Sequence, residues 1–147
     1  MAEGDIRKSG RAADWVERLS LARATESLHP VAARFIHALR LIAIHSRAGR
    51  DPTAELVLRL GSMAVAVKAL QLTDSLGACL PEPIQLRRFC CGALSHDEAT
   101  IAALVEAAWR NRQDRFEFQL DGLLRPEQSQ RLWVDCVELV ASESARA

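Results

Sequence analysis

The segment Arg87-Arg88-Phe89-Cys90-Cys91, with His96 close behind it, holds the residue types best suited to chemistry in this chain. Two thiols stand a few residues before an expected helix N-terminus and beside two fixed positive charges, and both influences favour the thiolate. On that reading one of Cys90 and Cys91 is a redox or electrophile sensor, with its neighbour or Cys79 as the resolving thiol. The plainer reading treats cysteine as a small, often buried apolar residue, of the kind a loop crossing one end of a core needs. The two readings part on exposure, because only an accessible thiol reacts.

The same window is the densest group of metal-ligand types. Structural zinc sites use two close pairs of ligands separated by two to four residues, and no pair of cysteines here has that spacing. Cys91 and His96 could contribute two ligands, and His96 also has a sufficient role as a first-turn helix residue. No cofactor is expected, a transition metal at Cys90, Cys91 and His96 being the exception that the residue types leave open.

A second group lies upstream, where Arg34, His37, Arg40, His45 and Arg47 mark a basic side of one helix. At 100° per residue His37 and His45 differ by about 80° in direction and two turns in height, so one ion cannot bind both. The stretch from His29 to Leu70 carries Arg34, Arg40, Arg47, Arg50, Arg59 and Lys68 against Asp51 and Glu55. From Phe116 onward the balance reverses, with Glu117, Asp121, Glu127, Asp135, Glu138 and Glu143 against Arg125, Arg131 and Arg146. Two such patches can pair within a chain, pair between the chains of a homodimer, or steer an acidic partner. Arg34, His37, Arg40 and His45 are accordingly the expected partner-binding residues.

Composition limits the classes further. The 147 residues are 49% hydrophobic and 26% charged, enough for one globular domain, and nineteen basic side chains balance nineteen acidic ones. A zero net charge argues against a body that clamps nucleic acid or an anionic membrane by bulk charge. Arginine is strongly preferred, since only Lys8 and Lys68 are lysines, and the turn at Ala48 to Asp51 separates two helices as a helix-turn-helix would. The helix that follows is nearly all apolar beyond Arg59, however, and a recognition helix must offer polar side chains to base edges. No Gly-rich phosphate loop, H-E-x-x-H or nucleophile elbow is present, which lowers the expectation of an enzyme without excluding a site assembled from distant segments. Four cysteines are too few for a disulfide scaffold, and no run reaches the roughly 20 apolar residues of a membrane span. A cytoplasmic protein with reduced thiols is the expectation.

The elements that position these residues follow from Gly, Pro and apolar periodicity. Met1 to Ala13 reads as a disordered tail, and Asp14 to Leu28 as an amphipathic helix through Trp15, Leu19 and Ala22. Pro30 suits the first position of a second helix, with Val31, Phe35, Ala38, Leu39 and Ile42 on one stripe and Gly49 at its end. Asp51-Pro52 repeats this grammar and opens a third helix reaching about Leu76, apolar on most sides and hence central. Pro81 and Pro83 disfavour helix from Ala78 to Gly92. Ser95 and Glu98 have capping-box spacing and open a helix through Ile101, Val105 and Trp109. Phe116 to Leu124 suits a short helix, or a strand by its alternation at Phe116, Phe118 and Leu120. Arg125-Pro126 opens a last helix, fraying from Ser142.

His29-Pro30, Phe35 with Ala38-Leu39-Arg40, His45 near Gly49-Arg50-Asp51, and Cys90-Cys91 followed by Asp97-Glu98-Ala99 resemble the pattern of an uncharacterised family of small helical proteins of alphaproteobacteria. The resemblance covers about Leu28 to Val105. It implies a bacterial, cytoplasmic protein and brings no function, cofactor or site residue.

The sequence therefore predicts an all-α, single-domain bundle of five to six helices over residues 14–141, with one irregular Pro/Cys-containing crossing segment. The expected core is Phe35, Leu39, Ile42, Leu56, Leu60, Met63, Val67, Leu70, Val105, Trp109, Leu132 and Cys136. The expected function is a non-enzymatic protein-interaction or regulatory module that self-associates. The alternative is a thiol-based or metal-responsive sensor using Cys90 and Cys91, with Arg87 and Arg88 favouring the thiolate and His96 as a further ligand.

Overall fold

The computed structural model describes residues 24–146. Six α-helices are present among them: α1 (Pro30–Arg47), α2 (Thr53–Leu60), α3 (Met63–Cys79), α4 (His96–Trp109), α5 (Gln113–Leu120) and α6 (Pro126–Ala145). No strand forms among the described residues, where a single bridge between Ala24 and Ala93 is the sole β-like pairing. The expected tail and most of the expected helix from Asp14 lie outside them, and Thr25–Ser27 is a 3-10 turn rather than its last turn. No helix among the described residues is long and apolar enough to cross a membrane.

Helix starts follow local chemistry. Pro30 occupies the first turn of α1, and the His29 ring serves as its cap, Nδ1 accepting from the Val31 N–H at 3.2 Å. The expected capping box opens α4: the Glu98 N–H donates to Ser95 Oγ at 3.0 Å, and the Ser95 N–H donates to Glu98 Oε1 at 2.8 Å. α6 starts at Pro126 as expected.

The expected single helix from Pro52 to Leu76 is corrected to two. Gly61 adopts the left-handed conformation, φ 72°, and closes α2 through its N–H to the Val57 carbonyl. Ser62 then opens α3, its Oγ accepting from the Val65 N–H at 3.3 Å. A left-handed residue costs little only for glycine, and serine is a preferred cap, so the pair makes a stop and a restart. The break shifts the apolar phase. Leu56 and Leu60 are buried in α2, and the stripe resumes at Val65, Ala69, Leu72 and Leu76 rather than at Met63 and Val67. Met63 is 57% and Val67 41% exposed, which removes both from the core, and Leu70 is half-buried. α3 runs through Gly77 to Cys79 and stops where Leu80, preceding Pro81, must be extended.

The most enclosed helix is α4, whose Ile101, Ala102, Leu104, Val105, Ala107 and Ala108 are all buried between α1, α5 and α6. Trp109 at its end is half out of the core and sets its ring 4.4 Å from that of His29. α3 and α6 make the most extensive helix pair, joined by Lys68–Glu138 at 3.0 Å and by the Ser75 hydroxyl donating to Asp135. The segment from Phe116 is a helix because Phe116 and Leu120, one turn apart, are both buried while Phe118 points to solvent. The C-terminal end does not fray at Ser142. Glu143 is buried, and Arg146 reaches back to bond the Leu60 carbonyl that ends α2.

Candidate functional site

Arg40 corrects the expected basic face. It is fully buried, and its Nε and Nη2 grip both oxygens of Glu98, itself buried, at 2.6 and 3.0 Å. The rest of the guanidinium donates to the crossing segment: Nη1 to the Cys91 carbonyl at 2.7 Å and to that of Phe89 at 3.4 Å, Nη2 to that of Ala93 at 2.9 Å. Burial pushes the Glu98 carboxyl up, but the Arg40 hydrogen bond, the N–H groups of Ser95 and Arg87 and the Arg40 charge outweigh it and hold Glu98 below its ordinary value. The glutamate thus caps α4 and neutralises Arg40 at once. Arg40 is a fastener of the Cys90-Cys91 segment and unavailable to a partner.

Fastened in this way, the segment forms one wall of a groove against α1 and α2, with a volume of about 380 Å³. Its floor is Ala38, Leu41, Leu56 and Leu60, and its rim carries Arg34, His37, Arg59, Phe89 and Cys90. The Arg59 guanidinium lies 5.2 Å from the centre of the Phe89 ring, a cation–π distance, and the His37 ring meets the same phenyl edge-on at 5.9 Å. Arg34 donates through Nε to Glu143 at 2.6 Å, and Lys68 pairs with Glu138, so the basic middle and acidic C-terminal region of the sequence meet partly within the chain. Burial first, and the Arg40 charge second, lower the His37 pKa against a smaller opposing pull from Glu98. His37 is therefore neutral at pH 7.

His45 does not join the groove. It is half-buried, with Nδ1 3.0 Å from the Leu41 carbonyl one turn earlier. Of the four expected partner-binding residues the structure brings Arg34 and His37 together at the groove and assigns Arg40 and His45 elsewhere. Arg59 and Phe89 are the groove residues that sequence reasoning did not select.

A second, smaller cleft lies across Phe89, about 220 Å³ in volume. Arg87 and Arg88 line this cleft and not the groove that Cys90 lines. The four cysteines are free thiols: Cys90 is exposed, Cys91 half-buried, Cys79 and Cys136 buried. Burial, aided by the charge of Asp135, pushes the Cys136 thiol far up, which makes it unreactive. His96 is exposed on the first turn of α4. Among the described residues no three His, Cys, Asp or Glu side chains converge as metal ligands.

Fold and site together define an all-α bundle with a cationic-rimmed apolar groove beside a fastened cysteine segment. The chain matches no protein-family profile, no curated protein and no solved structure.

Proposed function

We propose that this protein is a non-enzymatic interaction module that self-associates, the groove of one copy receiving the α5 end of another. The observation that carries this reading is complementarity between two surfaces of the same chain. The groove offers an apolar floor under Arg34, His37 and Arg59. The α5 end offers Phe118, 78% exposed, and Leu123, 56% exposed, flanked by the exposed acids Glu117 and Asp121. A large apolar side chain beside acids suits an apolar pocket rimmed by Arg34 and Arg59, whose guanidiniums pair with Glu143 and Glu55 and still stand partly exposed. Two copies related by a two-fold axis make the contact twice, which closes the assembly.

Light scattering on a sizing column tests this. A dimer is expected at micromolar concentration, and Phe118→Asp, Arg59→Glu and Glu117→Arg are each expected to yield monomers. Burying one phenylalanine contributes about 1.5–3 kcal/mol, so losing it weakens each contact roughly 10- to 150-fold. Mixing the Arg59→Glu and Glu117→Arg chains restores opposite charges at both contacts and should recover the dimer. A monomeric parent at high micromolar concentration, or a dimer indifferent to all three changes, refutes the reading.

The exposure of Cys90 at the groove favours a second reading, a thiol sensor whose modification blocks the groove. Alkylation against pH separates it from a packing role. A Cys90 reactivity rising only near pH 8.5 leaves a solvent-exposed thiol of ordinary behaviour.

A further inference from the structure

The smaller cleft carries an inference independent of self-association. Among the described residues Arg34, Arg40, Arg59, Arg110, Arg112, Arg125 and Arg146 each have an acidic partner. The side chains of Arg47, Arg50, Arg87, Arg88, Arg115 and Arg131 form no ion pair there, and three of these six, Arg47, Arg87 and Arg88, line this one cleft. The only other cation lining it is Arg40, already neutralised by Glu98, and no acid lines it. Three like charges lining one concavity without an acid raise the local potential in favour of an anion.

Their positions are built. The Gln85 N–H donates to Asp97 at 2.7 Å on one side, and the Phe89 and Cys91 carbonyls accept from Arg40 on the other, so the stretch that carries Arg87 and Arg88 is tied at both ends. Arg47 stands on the last turn of α1. The remaining wall is apolar, with Ile44, Leu86 and Phe89. One guanidinium satisfies a carboxylate as a two-pronged fork, whereas three suit a group with three terminal oxygens and two negative charges. A volume of about 220 Å³ suits a small molecule and not a duplex groove or an extended chain.

We propose that this cleft binds the phosphate group of a small organic phosphate monoester, the arginines Arg47, Arg87 and Arg88 holding the phosphoryl oxygens and Ile44, Leu86 and Phe89 packing on the organic body. The test is calorimetric titration of the full chain with phenyl phosphate, inorganic phosphate and benzoate at low ionic strength, where charge attraction is least screened. Phenyl phosphate is expected to bind at least about tenfold more tightly than either of the others, because neither supplies both the dianion and the apolar body. Arg47→Ala and Arg88→Ala are each expected to weaken it about tenfold, as loss of a charge-assisted hydrogen bond does, with unchanged melting temperatures. Equal affinity for inorganic phosphate and phenyl phosphate overturns the ester and assigns the cleft to free phosphate. Binding unaltered in both arginine variants, or heat absent with phenyl phosphate at about 10 mM, overturns the site. Phe118→Asp, at a residue that does not line the cleft, should leave the titration unchanged, so failure here and failure of self-association are separable.

Discussion

Arg40→Met is expected to lower the melting temperature by about 10–20 °C. Methionine fills much of the same space but removes every donor, leaving the Glu98 carboxylate buried with the N–H groups of Ser95 and Arg87 and no countercharge, and taking the donor from the Cys91, Ala93 and Phe89 carbonyls. Removing one partner of a buried ion pair costs about 3–5 kcal/mol. At roughly 3–4 °C per kcal/mol for a chain of this length, that gives the stated range. Glu98→Gln is the informative companion, because glutamine can still accept from the Ser95 N–H and keep the capping box while the charge is lost. The double variant Arg40→Met/Glu98→Gln should lose less than the two single losses added, since neither charge is then stranded. Circular dichroism melts measure the stability, and the alkylation rate of the half-buried Cys91, with exposed Cys90 as reference, measures release of the segment. The sign with pH is also fixed. A depressed carboxyl adds stability that is complete above its unfolded pKa and lost as pH falls through the folded value, so the parent should weaken in acid below about pH 4.5 and Glu98→Gln should weaken less. An Arg40→Met chain melting within about 2 °C of the parent, or strictly additive losses, would sink the reasoning.

Gly61→Ala should destabilise by about 1–2 kcal/mol, because its φ of 72° is left-handed; the Arg146 guanidinium 3.9 Å from the new methyl leaves room, so backbone strain is the whole effect, read by urea titration. His37→Gln should flatten the melting temperature between pH 7 and 5. The neutral ring is favoured in the folded chain, so its contribution is complete above pH 6.5 and declines as pH falls through the lowered value, and solvent exposure keeps the change under about 2 °C. A parent that grows more stable on acidification over that range would contradict the assigned direction.

Features encoded within a few residues were legible, and those set by distant partners were not. Ser95 and Glu98 satisfy one another across a single turn, so α4 could be placed from four letters. Gly61-Ser62 has the residue types of a stop and a start, yet Leu56, Leu60, Met63, Val67 and Leu70 continue an unbroken helical period across it. The break won because buried neighbours favour Val65, Ala69, Leu72 and Leu76 instead. Arg40 looked like a member of a basic face because Arg34 and His37 precede it at helical spacing. Its flanking Leu39 and Leu41 are buried with it, a local hint, but Glu98 lies 58 residues away and nothing near Arg40 announces it. The groove escaped for the same reason: Arg34, Arg59 and Cys90 come from three separate segments, and no spacing along the chain brings them together.

The break at Gly61 also determines how firm the groove is. An isolated helix of eight residues has scarcely paid its nucleation cost, so α2 holds its shape by leaning on α1 and α3 and through the Arg146 bond to its last carbonyl. Leu56, Arg59 and Leu60 of that helix are one wall of the groove. In hydrogen-exchange terms, α2 amides should open at a lower free energy than those of α4, and an occupant of the groove would register first as slowed exchange along Thr53–Leu60.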